Sequence, residues 1–503
     1  MTCVSYFEDN KADDRHSKKS LRSGAVSILA RAINALIQIG SVLFLARLLT
    51  PEDYGLVSMV LAITGFAPVL VDLGTRDAVA QRGSITKGDI NALFWITMGV
   101  GVGFTALAAI SGPAIARFYG EPRLTDIVLI SSITFVAYAL GMQHFALLRR
   151  SLMFQDIAVV EIVANVLSAA TAIAMAEYGA GYWALVVRPV LTPFLLALGA
   201  WLTCRWVPGR PTFSTDVKQM VKFGVNVTAF SLTDFAGRSS DRVAIGYRSG
   251  AASLGYYQNA LFVYDNLLDV LVYPLHSVAV SSLSKLRGDL NELRRSWGKA
   301  LSVVAFYAMP TFGLLAVTSR DIVVILLGAK WAGAGVLLSV LALRGIPHAI
   351  ERTLGWLHVS AGRTDRWVRW GLFSTCVQVV GLFCGLQYGP MGVAVAHVTS
   401  MFVLFVPALA YAGQPLGINA KDVITIIWRP LTSSLIAAGV GFALRFTVLV
   451  DEDPMLRTGV LAAAYIATYL ILVVGVMRLR APLNTTRTLL RDSLPAQFAH
   501  LMR

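Results

Sequence analysis

Long apolar runs dominate this chain, and they restrict it to one kind of fold. A helix needs about 20 mostly apolar residues to cross a bilayer. Fourteen runs of that order can be read, with rough bounds 24–46, 55–73, 92–112, 125–147, 157–176, 182–203, 222–247, 255–278, 299–318, 333–355, 367–387, 391–411, 424–446 and 456–477. Hydrocarbon offers no water to satisfy backbone N–H and C=O groups, so runs of this length must be helical. Charged residues make up 14% of the sequence and hydrophobic ones 56%, too dry a surface for a water-soluble protein of 503 residues. The expected fold is therefore all-α: a polytopic membrane protein of about 14 transmembrane helices.

The net charge of +14 fits the same picture. Lys and Arg cluster in short connecting segments, among them Lys18, Lys19, Arg22, Arg149, Arg150, Arg205, Arg210, Arg294, Arg295, Arg363 and Arg366. An even span count puts both termini on one side, together with these segments. The positive-inside rule makes that side cytoplasmic. There is no separate basic domain to hold a nucleic acid, so none is expected as a partner. The polar first 20 residues do not read as a signal peptide, and the first run is expected to be an uncleaved anchor. Cys3, Cys204, Cys376 and Cys384 show no CxxC spacing, and the histidines form no HExxH-type pair. No disulfide, metal site or cofactor is expected. The connecting segments are too short for a soluble catalytic domain, which argues against an enzyme.

The chain also repeats itself. Shifted by 200 positions, Gly24 falls on Gly224 and Gly55 on Gly255, and Lys87-Gly88-Asp89-Ile90-Asn91 falls on Arg287-Gly288-Asp289-Leu290-Asn291. Tyr178-Gly179 later matches Tyr388-Gly389. Spans one to six and seven to twelve thus read as related units. Six is even, so they run in the same direction as parallel repeats, the architecture of an alternating-access transporter. The expected division is a cytoplasmic N-terminal segment (1–23), an N-lobe (24–204), a C-lobe (218–412), two C-terminal helices (422–478) and a cytoplasmic tail (479–503).

Polar residues inside the spans mark candidate sites. Ser27, Arg31, Asn34, Gln38 and Ser41 recur at alternating spacings of four and three, along one face of a helix. Their partners in the second copy are Ser231, Asp234, Arg238 and Asp241, with Arg242 next in the chain. An Arg or Asp at the bilayer centre costs roughly 2.5–3.5 kcal/mol on insertion scales, so this face must meet protein or water. Two such faces would meet across a central cavity. Arg31 has no acidic neighbour on its own helix and reads as an anion-binding group or a snorkelling side chain. Asp234, Arg238 and Asp241 either bind substrate and ions or pair with one another at i,i+3 and i,i+4.

Span eight carries Asp265 and Asp269, again four apart. A carboxylate pair in a membrane either carries a proton or sodium ion or bonds to polar neighbours. In span ten, Arg344, His348, Glu351 and Arg352 share one side, where Glu351 is expected to pair with an arginine. Arg188, before Pro189 in span six, is expected to steady a kink. Gly99-x-Gly101-x-Gly103 in span three reads as close packing.

The segment Leu49-Thr50-Pro51-Glu52-Asp53-Tyr54-Gly55, followed by Asp72-Leu73-Gly74, resembles the polysaccharide transporter branch of the multidrug/oligosaccharidyl-lipid/polysaccharide exporter superfamily. Weaker similarity continues at Asp241-Arg242 and Leu254-Gly255-Tyr256-Tyr257. The resemblance implies two six-helix lobes plus two further helices, with a cavity lined by spans one, two, seven and eight. It implies a flippase in the cell inner membrane, moving polyprenyl-diphosphate-linked oligosaccharide repeat units for exopolysaccharide or lipopolysaccharide synthesis. Arg31, Asn34, Gln38, Arg238 and Arg242 would then line the diphosphate and sugar cavity. Asp234, Asp241, Asp265 and Asp269 would serve ion coupling or internal pairing. Lipid-linked oligosaccharide and membrane lipids are the expected partners, with a polysaccharide polymerase and a chain-length regulator as further candidates. The alternative is a cation-coupled multidrug exporter of the same superfamily, which the four aspartates suit and the arginines do not.

Overall fold

A computed structural model of the chain describes residues 15–75, 79, 85–212, 214–286, 289–360 and 362–493. Cys3, most of the expected N-terminal segment, the end of the expected tail and Arg287-Gly288 of the repeated turn lie outside the described residues. Among the described residues the chain is helical without strands. The main helices are α1 (Arg15–Leu48), α2 (Pro51–Thr64), α3 (Ala67–Asp72), α4 (Lys87–Tyr119), α5 (Leu124–Arg150), α6 (Phe154–Glu177) and α7 (Trp183–Cys204). They continue with α8 (Thr215–Lys285), α9 (Leu290–Leu327), α10 (Ala332–Ser360), α11 (Thr364–Leu386) and α12 (Gly389–Gly413). The last are α13 (Ala420–Thr447), α14 (Pro454–Leu470) and α15 (Ala481–Ser493).

Twelve helical segments among the described residues are long and apolar enough to cross a membrane. Twelve of the fourteen expected spans coincide with them. The other two, spans seven and eight, form the halves of α8, which is broken at Gly250 (φ 78°). Both halves are helical, and several of their side chains lie outside the described residues, so the count of twelve does not extend to them. Span two is helical in two pieces. The first, α2, ends at Gly65, and Pro68 opens the second.

The chain divides into two compact units, Met1–Gly255 and Tyr256–Arg503. Within the first, α4 packs on α5, α5 on α7, and α6 on both α7 and α1. Within the second, α9 packs on α10, α10 on α12, and α11 on α12. The order of pairing is the same in both, as duplicated units require. In the second unit α13 and α14 also pack on α9.

The repeated turn now has a structural role. Thr86 and Asp89 form a capping box at the start of α4. Asp89 also accepts a hydrogen bond from Ser214 (2.7 Å), while the Asn91 side chain bonds Gly209 N and Arg210 O. The turn thereby pins the link from α7 to α8. In the second copy Leu286 replaces Thr86 and cannot cap. Asp289 becomes the N-cap itself, taking N–H bonds from Asn291 and Glu292 at 3.0 Å, and α9 starts three residues later in register. There Arg294 donates to the Leu416 carbonyl and holds the link from α12 to α13.

Proline leaves marks as well. Pro310 in α9 has no N–H, which frees the carbonyl of Phe306. The Tyr469 hydroxyl donates to that carbonyl at 2.7 Å and so ties α14 to α9. Of the three glycines of span three, Gly101 packs against Ala139 and Phe135, whereas Gly99 and Gly103 meet nothing within 4 Å.

The second unit also holds a buried ion triad. Asp321, 4% exposed at its side chain, accepts from Arg445 (2.8 Å) and from Arg457 (2.8 Å). It joins the end of α9 to α13 and α14. In the first unit, Arg123 bridges Glu52 and Glu121. Its hydrogen bond holds the Glu121 carboxyl below the usual range.

Candidate functional site

The polar stripe of span one forms as a helical face of α1. Arg31 and Gln38 are exposed and Asn34 is half-buried. Asn165 on α6 donates to the Asn34 side chain at 3.2 Å. Ser41, buried, receives Arg188 from α7 at 2.7 Å and donates to the Gln38 carbonyl. Beyond it, Thr192 bonds Ser168 at 2.9 Å. The stripe thus continues as a polar seam across α1, α6 and α7. Arg188 was expected to steady a kink; its guanidinium instead reaches across to α1. Asn165 and Thr192 escaped the reading of the sequence because single polar residues in apolar runs carry no periodic signal.

The stripe of span seven lies on the first half of α8. Ser231 is half-buried, Arg238 exposed and Asp241 buried. The side chain of Asp234 lies outside the described residues. Asp241 accepts the backbone N–H of Arg242 at 2.7 Å. Arg242 is half-buried, and its Nε is buried without a hydrogen-bond partner among the described residues. An N–H so placed is available to an acceptor that the described residues do not supply.

The second unit holds the other candidates. Asp265 and Asp269 project from the exposed side of the second half of α8. Asp269 lies 4.0 Å from Arg352, too far for a hydrogen bond. The opposite side of the same helix is buried and carries two tyrosine–histidine pairs. Tyr257 lies 3.1 Å from Nδ1 of His397 on α12, and Tyr264 lies 2.7 Å from Nδ1 of His348 on α10. Arg352 donates from Nε to the other ring nitrogen of His348 at 3.4 Å. That bond makes Nε2 the acceptor, so Nδ1 carries the ring proton and donates to the Tyr264 oxygen. Arg344 lies 5.8 Å above the Tyr264 ring. Glu351 makes no ion pair with an arginine among the described residues; Arg352 turns instead towards Asp269 and His348. Arg352, His348 and Tyr264 are joined by hydrogen bonds, and Asp269 stands beside Arg352 on the exposed face of α8.

The motif that carried the family resemblance is architectural. Thr50 and Asp53 make a capping box, Pro51 occupies the first helical turn, and Glu52 meets Arg123. Tyr54 donates to the Val42 carbonyl at 3.2 Å, fastening α2 to α1. Gly55 packs where a Cβ would collide with the Ala251 carbonyl. The family described as polysaccharide biosynthesis protein matches residues 44–335, more than half of the chain. The chain belongs to that family. The match begins just before this motif and covers the stripe of span seven and the Asp265–Asp269 pair, but neither the stripe of span one, which ends at Ser41, nor His348 and Arg352.

Further relatives agree. The lipopolysaccharide biosynthesis protein WzxC of Escherichia coli (strain K12) is 25% identical over 445 residues, covering 85% of this chain and 88% of the relative. Among solved structures, the lipid II flippase MurJ in an inward closed conformation is similar with a TM-score of 0.71 at 15% identity, covering 91% of this chain and 99% of MurJ. An inward-facing multidrug resistance MATE family transporter of the MOP superfamily is similar with a TM-score of 0.63 at 14% identity, covering 78% of this chain and 98% of that one. At such identities the structural likeness speaks for the fold alone, a polytopic all-helical membrane protein.

Proposed function

We propose that this protein is a flippase. It moves polyprenyl-diphosphate-linked oligosaccharide repeat units from the inner to the outer leaflet of the inner membrane, by alternating access, and so feeds exopolysaccharide or lipopolysaccharide synthesis. It makes and breaks no bond. The observation that carries this reading is the similarity to WzxC, which extends over most of both chains. The family match supports the polysaccharide setting.

The polar inventory supports it too. A diphosphate head cannot cross hydrocarbon without replacing its hydration. A cation about 4 Å from a phosphate oxygen contributes on the order of 4 kcal/mol at an effective dielectric of 20. In this reading Arg31, Arg238 and Arg242 supply that replacement, and Asn34 and Gln38 bond sugar hydroxyls. The two six-helix lobes correspond to 24–204 and 218–412, with 422–478 appended, and both termini are cytoplasmic. A polymerase and a chain-length regulator are proposed neighbours. The exposed Asp265 and Asp269 on α8 favour coupling of the cycle to a cation, which is also the strongest support for the alternative, cation-coupled drug export. The family and WzxC argue against drugs as the cargo.

Deleting the gene tests the proposal. Surface polysaccharide should be lost while lipid-linked repeat units accumulate on the inner leaflet, and re-expression should restore export. Normal polymer output in the deletion strain would overturn the assignment.

A further inference from the structure

The second unit holds a cationic cavity that uses none of the residues of the polar stripes. At the start of α9, Arg295, Lys299 and Ser302 follow at i, i+4 and i+7 and share one helix face. Thr425 and Arg429 share a face of α13, and together with Pro482 and Thr485 of α15 these residues line a cavity of about 340 Å3. Lys299 and Arg429 each stand nine residues after the first residue of their helix, so they sit at about the same depth, roughly 13 Å from the helix ends. Arg295 and Lys299 are exposed and Arg429 is half-buried. None of the three pairs with a carboxylate among the described residues.

Three further features fix what such a cavity would hold. The Arg429 guanidinium lies 5.5 Å from the ring of exposed Trp428, and tryptophan is enriched where hydrocarbon meets the headgroup layer. Leu479, also on the cavity wall, packs into an apolar cluster with Phe306, Tyr465 and Tyr469. The cavity therefore has a cationic mouth and an apolar floor. Its lid, α15, is amphipathic. Arg480, just before it, and Arg487 stand seven apart on one stripe and are exposed, while Pro482 is buried and Thr486 receives the Tyr307 hydroxyl at 3.3 Å. Such a helix lies in the plane of a bilayer with basic residues towards anionic headgroups.

We propose that this cavity binds the phosphate headgroup of an anionic membrane phospholipid, with Arg295, Lys299 and Arg429 as its cationic ligands. The bound lipid staples α15 to α9 and α13. The depth, the Trp428 flank and the apolar floor favour a lipid over a soluble phosphate, which would have no use for either of the last two. The site is distinct from the proposed cargo path and does not depend on what the cargo is.

Lipid binding to the purified full-length chain tests this directly. Native mass spectrometry and thermal unfolding would be followed while phosphatidylglycerol, phosphatidylcholine or inorganic phosphate is added to the detergent-solubilised protein. Phosphatidylglycerol should bind and raise the unfolding temperature. The combined variant Arg295→Gln, Lys299→Gln, Arg429→Gln should bind it on the order of tenfold more weakly or worse. The charge-keeping variant Arg295→Lys, Arg429→Lys should retain most binding. If the triple variant aggregates, Arg295→Gln and Lys299→Gln alone, both at exposed positions, should each weaken binding a few-fold. Equal binding of phosphatidylcholine, unchanged phosphatidylglycerol binding by the variants, or the same stabilisation by millimolar inorganic phosphate alone would each overturn the proposal.

Discussion

Gly255 lies so close to Gly55 that a Cβ on Gly255 would come within 3.2 Å of the Gly55 backbone nitrogen and collide with the Pro51 carbonyl. A Cβ on Gly55 would in turn collide with the carbonyl of Ala251. Pro51 and Ala251 are themselves 200 positions apart, as are the two glycines. The contact therefore maps onto itself when the two copies are exchanged. Duplication has placed the same glycine on both sides of one crossing, which is why that residue recurs.

This contact predicts an asymmetry among glycines. Gly55→Ala and Gly255→Ala each press a methyl group into backbone that cannot rotate away, and each should destabilise by about 1–3 kcal/mol. Gly99→Ala meets open space and should be neutral or gain up to about 1 kcal/mol of helix propensity. Unfolding midpoints of the detergent-solubilised variants would separate the two classes. Equal midpoints for Gly55→Ala and Gly99→Ala would show that the crossing relaxes to admit a methyl group.

The ion triad gives a larger effect. Asp321 neutralises two guanidinium groups that are each less than a fifth exposed. Asp321→Ala leaves both cations without their carboxylate and should destabilise by about 3–5 kcal/mol. Removing one cation, as in Arg457→Gln, leaves the Arg445 bond in place and should cost less. A thermal-unfolding series on the two single variants and the double variant would show strong non-additivity, because Asp321→Ala leaves two bare cations and the double variant leaves only Arg445.

Legibility in the sequence tracks the range of the interaction. Helix positions followed from composition alone, because each residue's environment there is lipid or a neighbouring helix. The Thr50–Asp53 and Thr86–Asp89 boxes are three-residue spacings and are equally local. The α1 stripe was visible through its period. Its partners were not: Arg188 meets Ser41 across 147 positions, and Asn165 meets Asn34 across 131. No periodicity encodes a pairing of that range.

The Tyr264–His348 pair should report on the bonds that join Arg352 to Tyr264. Tyr264→Phe removes the oxygen that accepts the ring proton and leaves a buried N–H unsatisfied, at a cost of about 1–3 kcal/mol. Tyr257→Phe at the longer 3.1 Å pair should cost no more than this. If this cluster couples transport to an ion, Tyr264→Phe and Asp269→Asn should both shift the dependence of export on the ion gradient, beyond what their lower abundance explains. Export assayed in vesicles with the gradient imposed or collapsed would reveal this. Unaltered gradient dependence in both variants would leave the pair with a packing role only.

Arg31 and Arg188 lie on the same seam but should behave differently when replaced. Arg188 is half-buried and bonds a buried serine, so Arg188→Ala should lower membrane abundance and export together. Arg31 is exposed, and its loss should disturb packing little. If Arg31 faces the diphosphate, Arg31→Ala should cripple export at normal abundance. Arg31→Lys should keep part of it, because a lysine supplies the charge but not the bidentate fork. Quantitative immunoblotting of membranes beside surface polysaccharide, normalised per molecule, separates the two residues. Full export by Arg31→Ala would remove that residue from the cargo path and shift the search for the anion site to Arg238 and Arg242 on α8.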